Sequence, residues 1–141
     1  MKKLLSILFL VLLISSCMNS AQIEEAKLMS DDLLNSIATG EIDGLFPTDR
    51  FPENQTETLM NSLRFECDFI NRKGHFVNDF YSSEFGNNRA SFLYEYYLKC
   101  DSVRIIITYD LGDQIKLYEF RIEGVEKENF MILKPENSLT N

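Results

Sequence analysis

The sequence predicts an α+β fold in which two N-terminal helices pack on an antiparallel meander sheet of four strands. A short fifth strand at the edge of this sheet is also possible. Two segments come first in which apolar residues recur every three or four positions, which is the helical period. Four strand-like segments follow, and Gly112-Asp113 separates the last two as a tight hairpin turn would. Helices that precede a run of strands favour a layer of helix on sheet.

The chain begins with a basic and then strongly apolar segment. Lys2 and Lys3 precede the run Leu4–Ile14, whose 11 residues are fewer than the roughly 20 that a membrane-spanning helix needs. A basic start, a short apolar core and small residues after it are typical of a secretory signal peptide. No later run in the sequence is long and apolar enough to span a bilayer.

The end of this segment carries a more specific pattern, Ile14-Ser15-Ser16-Cys17, which resembles the lipobox of bacterial lipoproteins. The resemblance implies cleavage before Cys17, a diacylglycerol on its thiol and a further acyl chain, such as palmitate, on its amine. Two or more acyl chains anchor a protein firmly to a membrane. An ordinary signal peptide followed by a chance cysteine is the alternative. We therefore expect residues 1–16 to be removed and residues 17–21 to form a lipidated tether.

Removal of 16 of the 141 residues leaves a mature chain of 125, which fits one domain at residues 22–134 with a flexible tail at 135–141. Loss of two lysines leaves 12 basic against 22 acidic side chains and moves the formal charge from −8 to −10. Such a charge repels nucleic acid and anionic lipid, so neither is an expected partner. The acyl chains on Cys17 are then the expected contact with the membrane.

Two amphipathic helices are expected. The first covers Gln22–Thr39 and ends at Gly40, and the second begins at the N-cap Asn54, with Glu57 three residues on, and ends at Gly74. Their apolar stripes comprise Ala26, Met29, Leu33, Leu34 and Ile37, and then Leu59, Met60, Leu63, Cys67 and Ile70. Leu45, Phe46 and Phe51 lie between turns and are expected to pack under the helices.

Strands are expected at residues 75–85, 90–99, 102–111 and 114–123, with the possible short strand at 130–133. Two-residue turns at Cys100-Asp101 and Gly112-Asp113 would pair apolar residues on one face, and a slip by one residue would destroy the match. The first strand has two mixed faces, so no register follows for it. The predicted pairs are Leu98–Val103, Tyr96–Ile105, Tyr94–Ile107, Ile107–Tyr118, Ile105–Phe120 and Val103–Ile122.

The segment Ser91–Val125, preceded by one helix ending at "GE" and another ending at "KGH", resembles small bacterial lipoproteins of unknown function with a cystatin-like roll. This is the nuclear-transport-factor-2-like superfamily. The resemblance implies a curved sheet around a helix, with a pocket in some members that serve as enzymes and binding or assembly roles in many others. No catalytic motif of that superfamily matches this sequence.

His75 is the single histidine, and Asp79 is its nearest candidate partner on the same strand. Four residues of extended chain separate the two by roughly 13 Å, which is too far for a base and the group that orients it. We therefore expect His75 to be a solvated residue at a strand start. The sequence also has no cluster of ligands with metal-binding spacing, and neither a metal nor another cofactor is expected.

The predicted register puts several aromatic side chains on the core face of the sheet. They could line a cavity for a small amphipathic ligand, or they could simply fill the core with their hydroxyls at its rim. The residues of this candidate pocket are Phe92, Tyr94, Tyr96, Tyr109, Tyr118 and Phe120.

Cys67 and Cys100 remain after the lipidated cysteine, and both fall on inward-facing positions. The chain runs from the second helix into the first strand, whose start should lie beside the end of the second strand, so the two cysteines are plausible neighbours. An exported compartment can oxidise such a pair. Two separately buried thiols are the equally weighted alternative.

The outer sheet face, away from the helices, is less polar than a solvated face should be. The predicted register groups Leu93, Ile106, Ile115 and Leu117 there and sets Arg104 opposite Arg121, a like-charge pair that sheets normally avoid. Grouped apolar residues bordered by charges mark interaction sites, whereas a salt network beside scattered apolar residues is the alternative.

These observations favour a lipid-anchored cell-envelope module without catalytic activity that binds a protein partner or a second copy through this face, or a small ligand in the aromatic pocket. The alternatives are an enzyme with that pocket and a periplasmic inhibitor or immunity protein, whose acidic body would suit a basic toxin. Met18 occupies the position where Asp favours inner-membrane retention in Gram-negative bacteria. In such a host we expect the outer membrane, facing the periplasm.

Overall fold

The computed structural model describes residues 2–48, 50–84, 86–125 and 130–133, and it describes side chains from residue 20 onward except Glu84 and those of 130–133. The α+β class and the antiparallel meander are confirmed, and all five strands pair in the order β1-β2-β3-β4-β5. The helices are α1 (Lys2–Thr39) and α2 (Glu53–Asn61). The strands are β1 (His75–Glu84), β2 (Asn87–Tyr97), β3 (Ser102–Leu111), β4 (Ile115–Gly124) and β5 (Phe130–Leu133).

Helix α1 is longer than predicted, because it continues N-terminally from Gln22 through the residues that the sequence predicts to be a signal peptide and a tether. The sequence has no glycine or proline before Gly40, so nothing in the chain interrupts the helical hydrogen bonds. Gly40 ends the helix as predicted, with φ at 89° and its N–H bonded to the carbonyl of Ser36 over 2.8 Å. Within the described residues, no helix is both long and apolar enough to cross a membrane.

The second helix differs from its prediction at both ends. Pro52, rather than Asn54, is the N-cap, and no side chain caps the helix, so the capping pair of Asn54 and Glu57 does not form. After Asn61 the chain continues as a π-helical segment (Ser62–Glu66) and a 3-10 turn (Phe69–Asn71). This change of pitch buries Phe69 and leaves Ile70 45% exposed, the reverse of the predicted stripe.

The core lies between the sheet and the helical layer. Leu33, Leu34 and Ile37 of α1 and the phenylalanines of the connecting loop are buried as predicted, whereas Met29 is 37% exposed. Ser30 takes the buried place beside it and donates its hydroxyl to the carbonyl of Ala26 over 3.0 Å. A small hydroxyl that bonds back to its own helix can be buried without leaving an unpaired polar group.

Both predicted turns are longer than two residues. The β2–β3 connection is a four-residue turn in which the Leu98 N–H donates to the carbonyl of Asp101 over 3.0 Å. The β3–β4 loop has three residues, because Leu111 pairs with Ile115. Most strand partners therefore shift by two positions from the prediction, so that Tyr94 faces Ile105 and Ile107 faces Phe120. An even shift keeps each side chain on its predicted face, because side chains alternate with period two.

A β-bulge in the β3–β4 pair reverses the faces near the hairpin. Thr108 pairs with Glu119 and Tyr109 pairs with Leu117, so Tyr118 is the extra residue. One extra residue on one strand turns everything beyond it to the opposite face. Leu117 is consequently buried in the core, and Tyr118 lies on the outer face under Arg89, whose Cζ is 3.7 Å from the ring centroid. The prediction had these two side chains the other way round.

Strand β1, whose register could not be predicted, forms one edge of the sheet. Asp79 pairs with Phe92 and Tyr81 with Ala90, and a bulge at Val77 separates these pairs from Phe76–Tyr94. Every β1 side chain that the structure describes is exposed. The helical layer covers β2 and the strands beyond it but leaves this edge open.

Candidate interaction surfaces

The predicted aromatic pocket is packed core. Five of its six residues are buried, and Phe69 stacks on Tyr96 with ring centroids 4.6 Å apart. Phe46, from the loop after α1, meets Phe120 edge-to-face with centroids 5.6 Å apart. The buried five are Phe92, Tyr94, Tyr96, Tyr109 and Phe120. Tyr118 lies outside this cluster because of the β-bulge.

Two acidic residues of α1 lie close to the tyrosine tips. The Tyr94 hydroxyl donates to Oδ1 of Asp31 over 2.8 Å, and Nζ of Lys27 is 2.6 Å from the other oxygen of that carboxylate. Burial raises the pKa of Tyr94, and the hydrogen bond to Asp31 raises it further. Burial also raises the pKa values of Tyr96 and Tyr109 to about 12, and Asp31 adds to the pKa of Tyr96 while Asp32 and Asp31 add to that of Tyr109. These hydroxyls therefore act as neutral hydrogen-bonding groups and not as bases.

Cys67 and Cys100 form a disulfide with their Cα atoms 4.7 Å apart. The Lys99 N–H donates to the carbonyl of Cys67 over 3.0 Å, so a backbone hydrogen bond accompanies the covalent link. The bridge joins the end of the π-helical segment to the β2–β3 turn. Cys100 lies in this turn as predicted, and the turn also includes Leu98 and Lys99.

His75 and Asp79 lie exposed on edge strand β1, opposite Glu95 and Phe92 respectively. Within the described part of the chain, no three acidic, histidine or cysteine side chains come together as a metal site would require. Gly74, just before β1, packs so closely on the Tyr96 ring that an added Cβ would overlap it.

The outer face retains only part of the predicted apolar group. Leu93 pairs with Ile106 at its centre, and both are partly buried by their neighbours. Leu117 is in the core, and Ile115 packs against the core, because both lie beyond the bulge. Phe80 of β1 occupies the adjoining position and is 53% exposed. We define the outer patch as Phe80, Leu93 and Ile106.

The charges around the outer patch are paired, which corrects the predicted clash of two arginines. Arg104 pairs with Glu123 across the strands, and Arg121 pairs with Ile106. Nε of Arg104 lies 3.3 Å from Glu95, while Arg121 lies 3.0 Å from Glu119 and 3.3 Å from Glu123. The register shift of two residues brings opposite charges together where the prediction had like charges.

A shallow groove of about 520 Å³ runs between α1 and the β3–β4 hairpin. Leu33, Tyr109 and Leu117 contribute to its lining, and Arg50, Lys116 and Asp32 supply charges. Sequence reasoning missed this groove because the loop after α1 supplies Leu45 and Pro47 to it, and no periodicity fixes the path of a loop.

The start of the domain is tied to the β3–β4 loop five residues after Cys17, the predicted lipidation residue. Gln22 donates from Nε2 to the carbonyl of Gly112 over 2.9 Å, and Ile23 packs against the core. Cys17 lies within α1, five residues before Gln22.

Comparison with protein families, curated proteins and solved structures finds no match to this chain.

Proposed function

We propose that this protein is a lipid-anchored assembly module of the bacterial cell envelope, with a cystatin-like roll, which binds a second copy of itself through the outer patch. In a Gram-negative host its expected place is the outer membrane, on the periplasmic side. The proposal rests on two features that are independent of each other. These are the anchoring signal at the start of the chain and the surface opposite the helical layer.

The Ile14–Cys17 pattern supports the anchor. The disulfide between Cys67 and Cys100 is consistent with it, because such bonds persist in exported compartments and are rare in reducing ones. The packed aromatic cluster, with its neutral tyrosines, favours a binding role over catalysis in that cluster.

The single observation that carries the binding role is the apolar centre of the outer patch. Leu93 faces Ile106 in the middle of a sheet face that none of the described helices covers, and exposed Phe80 adjoins the pair. Contiguous apolar residues with a charged border are typical of an interaction surface.

Charge favours a second copy as the occupant. The mature chain is strongly acidic, so two copies repel each other over most of their surfaces. Around the outer patch, however, Arg104 and Arg121 sit among Glu95, Glu119 and Glu123 in short ion pairs. With two positive and three negative charges, two such faces repel each other less than the rest of the surface does, and they can exchange arginine–glutamate contacts across a two-fold axis.

The groove between α1 and the β3–β4 hairpin supports a second candidate, which is the binding of a small amphipathic ligand. Its volume of about 520 Å³ is within the usual range of ligand sites, and its lining combines leucines with Arg50 and Lys116.

Sedimentation velocity on the non-lipidated mature chain tests the assembly role. We expect the wild type to form dimers and the double variant Leu93→Thr/Ile106→Thr to be monomeric, because truncating central anchors of an interface costs about 2 kcal/mol or more. Leu28→Thr is the matched control, since Leu28 is an apolar residue on α1 that is 60% exposed. Equal sedimentation of the wild type and the double variant, with the fold intact, would contradict the proposal.

A further inference from the structure

We propose that edge strand β1 rests on the phospholipid surface and forms a second membrane contact beside the acyl chains on Cys17. This inference deepens the proposed function and rests on its lipid anchor. It assigns a partner, a zwitterionic lipid surface, to the most exposed apolar segment among the sheet side chains that the structure describes.

Strand β1 carries an unusual amount of exposed apolar surface for an edge strand. Phe76 is 39% exposed, Val77 43% and Tyr81 47%, in addition to Phe80, which belongs to the outer patch. Soluble proteins usually protect such an edge with charges or cover it. Aromatic side chains are favoured at membrane–water interfaces, where the ring is partly buried and its polar groups stay wet.

The tether is too short to let the folded body stand away from the membrane. Ile23, which packs against the core, is six residues after Cys17. Six residues span about 9 Å as a helix, as they are in α1, and at most about 21 Å when fully extended. A chain of this size has a radius of gyration of about 14 Å, so the side that carries the tether must face the bilayer.

The start of α1 lies between the β1 edge and the β3–β4 loop, where Gln22 contacts Gly112, so both of them border the side that carries the tether. A cleft of about 400 Å³ is lined by Ser20, Ile23 and Lys27 of α1 on one wall and by Phe76 and Asp79 of β1 on the other. Nζ of Lys27 lies 4.4 Å from the centroid of the Phe76 ring. The first described side chains of α1 and the exposed edge are therefore direct neighbours.

The charges near this edge fit a neutral lipid surface. Lys27 and Arg72 are paired with Asp31 and Asp68, and Lys73 adds one positive charge against the negative charges of Glu24 and Asp79. The balance of three positive and four negative side chains is far less negative than that of the whole chain. Headgroups of zwitterionic phospholipid can meet such a surface without repulsion, and the exposed aromatic rings can enter the interface.

This contact is compatible with pairing through the outer patch. A two-fold axis that lies between two facing sheets and runs across their strands places both β1 edges, and both tethers, on the same side. Tyr81 belongs to the other face of β1, since it pairs with Ala90 of the core face. A probe at Tyr81 therefore reports on the membrane and not on the outer patch.

The chain has no tryptophan, so single tryptophans can locate its surfaces. The lipidated Tyr81→Trp variant is bound to phosphatidylcholine vesicles whose acyl chains are brominated near the headgroup. Phe65→Trp is the matched control. Phe65 is 66% exposed and follows Arg64, which contacts Gly40 at the far end of α1, about 26 Å of helix from Ile23. We expect strong quenching and a blue shift for Tyr81→Trp, and neither for Phe65→Trp.

Vesicle flotation separates the ways in which the inference can fail. Flotation without selective quenching of Tyr81→Trp overturns the β1 contact and leaves the anchor intact. A protein that does not float with the vesicles overturns the anchor, and the β1 contact with it. A blue shift of Tyr81→Trp that rises with protein concentration in the absence of vesicles would show that a second chain covers the edge, which also overturns the proposal.

Discussion

The hydroxyl of Tyr94, on the second strand of the sheet, donates to Oδ1 of Asp31 on helix α1 over 2.8 Å. This bond crosses the layer boundary between residues 63 positions apart in sequence. Lys27 holds the same carboxylate from within the helix at 2.6 Å. The contact fixes the helix against the sheet at the point where the tyrosine cluster reaches the edge of the core.

Loss of this bond should weaken the fold. We expect Tyr94→Phe and Asp31→Ala each to lower the free energy of unfolding by about 1 to 2 kcal/mol, the usual cost of a part-buried hydrogen bond to a charged group. Urea unfolding of both single variants and the double variant measures their coupling. Asp32→Ala, at the next position of the same helix, is the control and should cost less. Additive losses in the double variant would show that the two side chains do not interact.

Reduction of the disulfide should be costly. The bond closes a loop of 33 residues, and loop-closure entropy in the unfolded chain predicts a loss of about 3 to 4 kcal/mol for Cys67→Ala/Cys100→Ala. Unfolding with and without dithiothreitol checks this, because the wild type should lose a similar amount on reduction while the double variant should not respond. A wild type that is equally stable in both conditions would count against the bridge.

Alkaline pH should unfold the protein through its buried tyrosines. The pKa values of Tyr96 and Tyr109 are raised from 10.0 to about 12 in the folded chain, and that of Tyr94 is also raised. Above pH 10 the unfolded chain loses these protons while the folded chain keeps them. The contribution of these tyrosines to the free energy of unfolding should therefore be fully present below pH 10. Between pH 10 and 12 it should fall by about 1.4 kcal/mol per pH unit for each tyrosine.

Tyrosinate absorbance, recorded with circular dichroism during a pH titration, tests this directly. The last tyrosines to ionise should do so together with the loss of secondary structure, and Tyr96→Phe should reduce the amplitude of that step. Independent ionisation of every tyrosine before any unfolding would contradict the assignment.

Replacement of Cys17 tests the anchor itself. Cys17→Ala should abolish labelling by radioactive palmitate and should leave the signal segment uncut, because the lipoprotein resemblance makes both steps depend on that residue. Gel mobility and fatty-acid labelling in an expressing bacterium are the readouts. Ser16→Thr, which keeps a small hydroxyl residue before the cysteine, is the matched control. Labelling of Cys17→Ala at the wild-type level would rule out the lipoprotein reading.

The sequence predicted the sheet better than its connections. The alternation of apolar and polar residues in β2, β3 and β4 identified the core face correctly over most of the sheet. Alternate residues of a strand point to opposite faces, so this prediction does not depend on the exact strand pairing. Loop lengths are set by details that this alternation does not contain, such as the hydrogen bond from the Leu98 N–H to the carbonyl of Asp101, which places Leu98 and Lys99 in the turn. The bulge near Thr108 and Tyr109 is a single-residue event, and it exchanged the faces of Leu117 and Tyr118.

The helical layer was also predicted where it is regular and mispredicted where it is irregular. The stripe of α1 was predicted apart from Met29, since one regular helix follows one period. The second helix changes pitch after Asn61, and each change moves the apolar face around the axis, so Phe69 and not Ile70 enters the core. The exposed edge of β1 was missed because both of its faces mix apolar and polar residues, so the sequence shows no alternation from which a buried face could be predicted.

Each strand of the sheet pairs with the strand that follows it along the chain. Such local pairing keeps the entropy of loop closure small and favours rapid folding. A chain delivered unfolded across a membrane could therefore assemble one hairpin after another as it emerges, without waiting for distant segments. The Cys67–Cys100 link could form as soon as the first hairpin has arrived, so that oxidation would secure two of the five strands before the last strand has emerged.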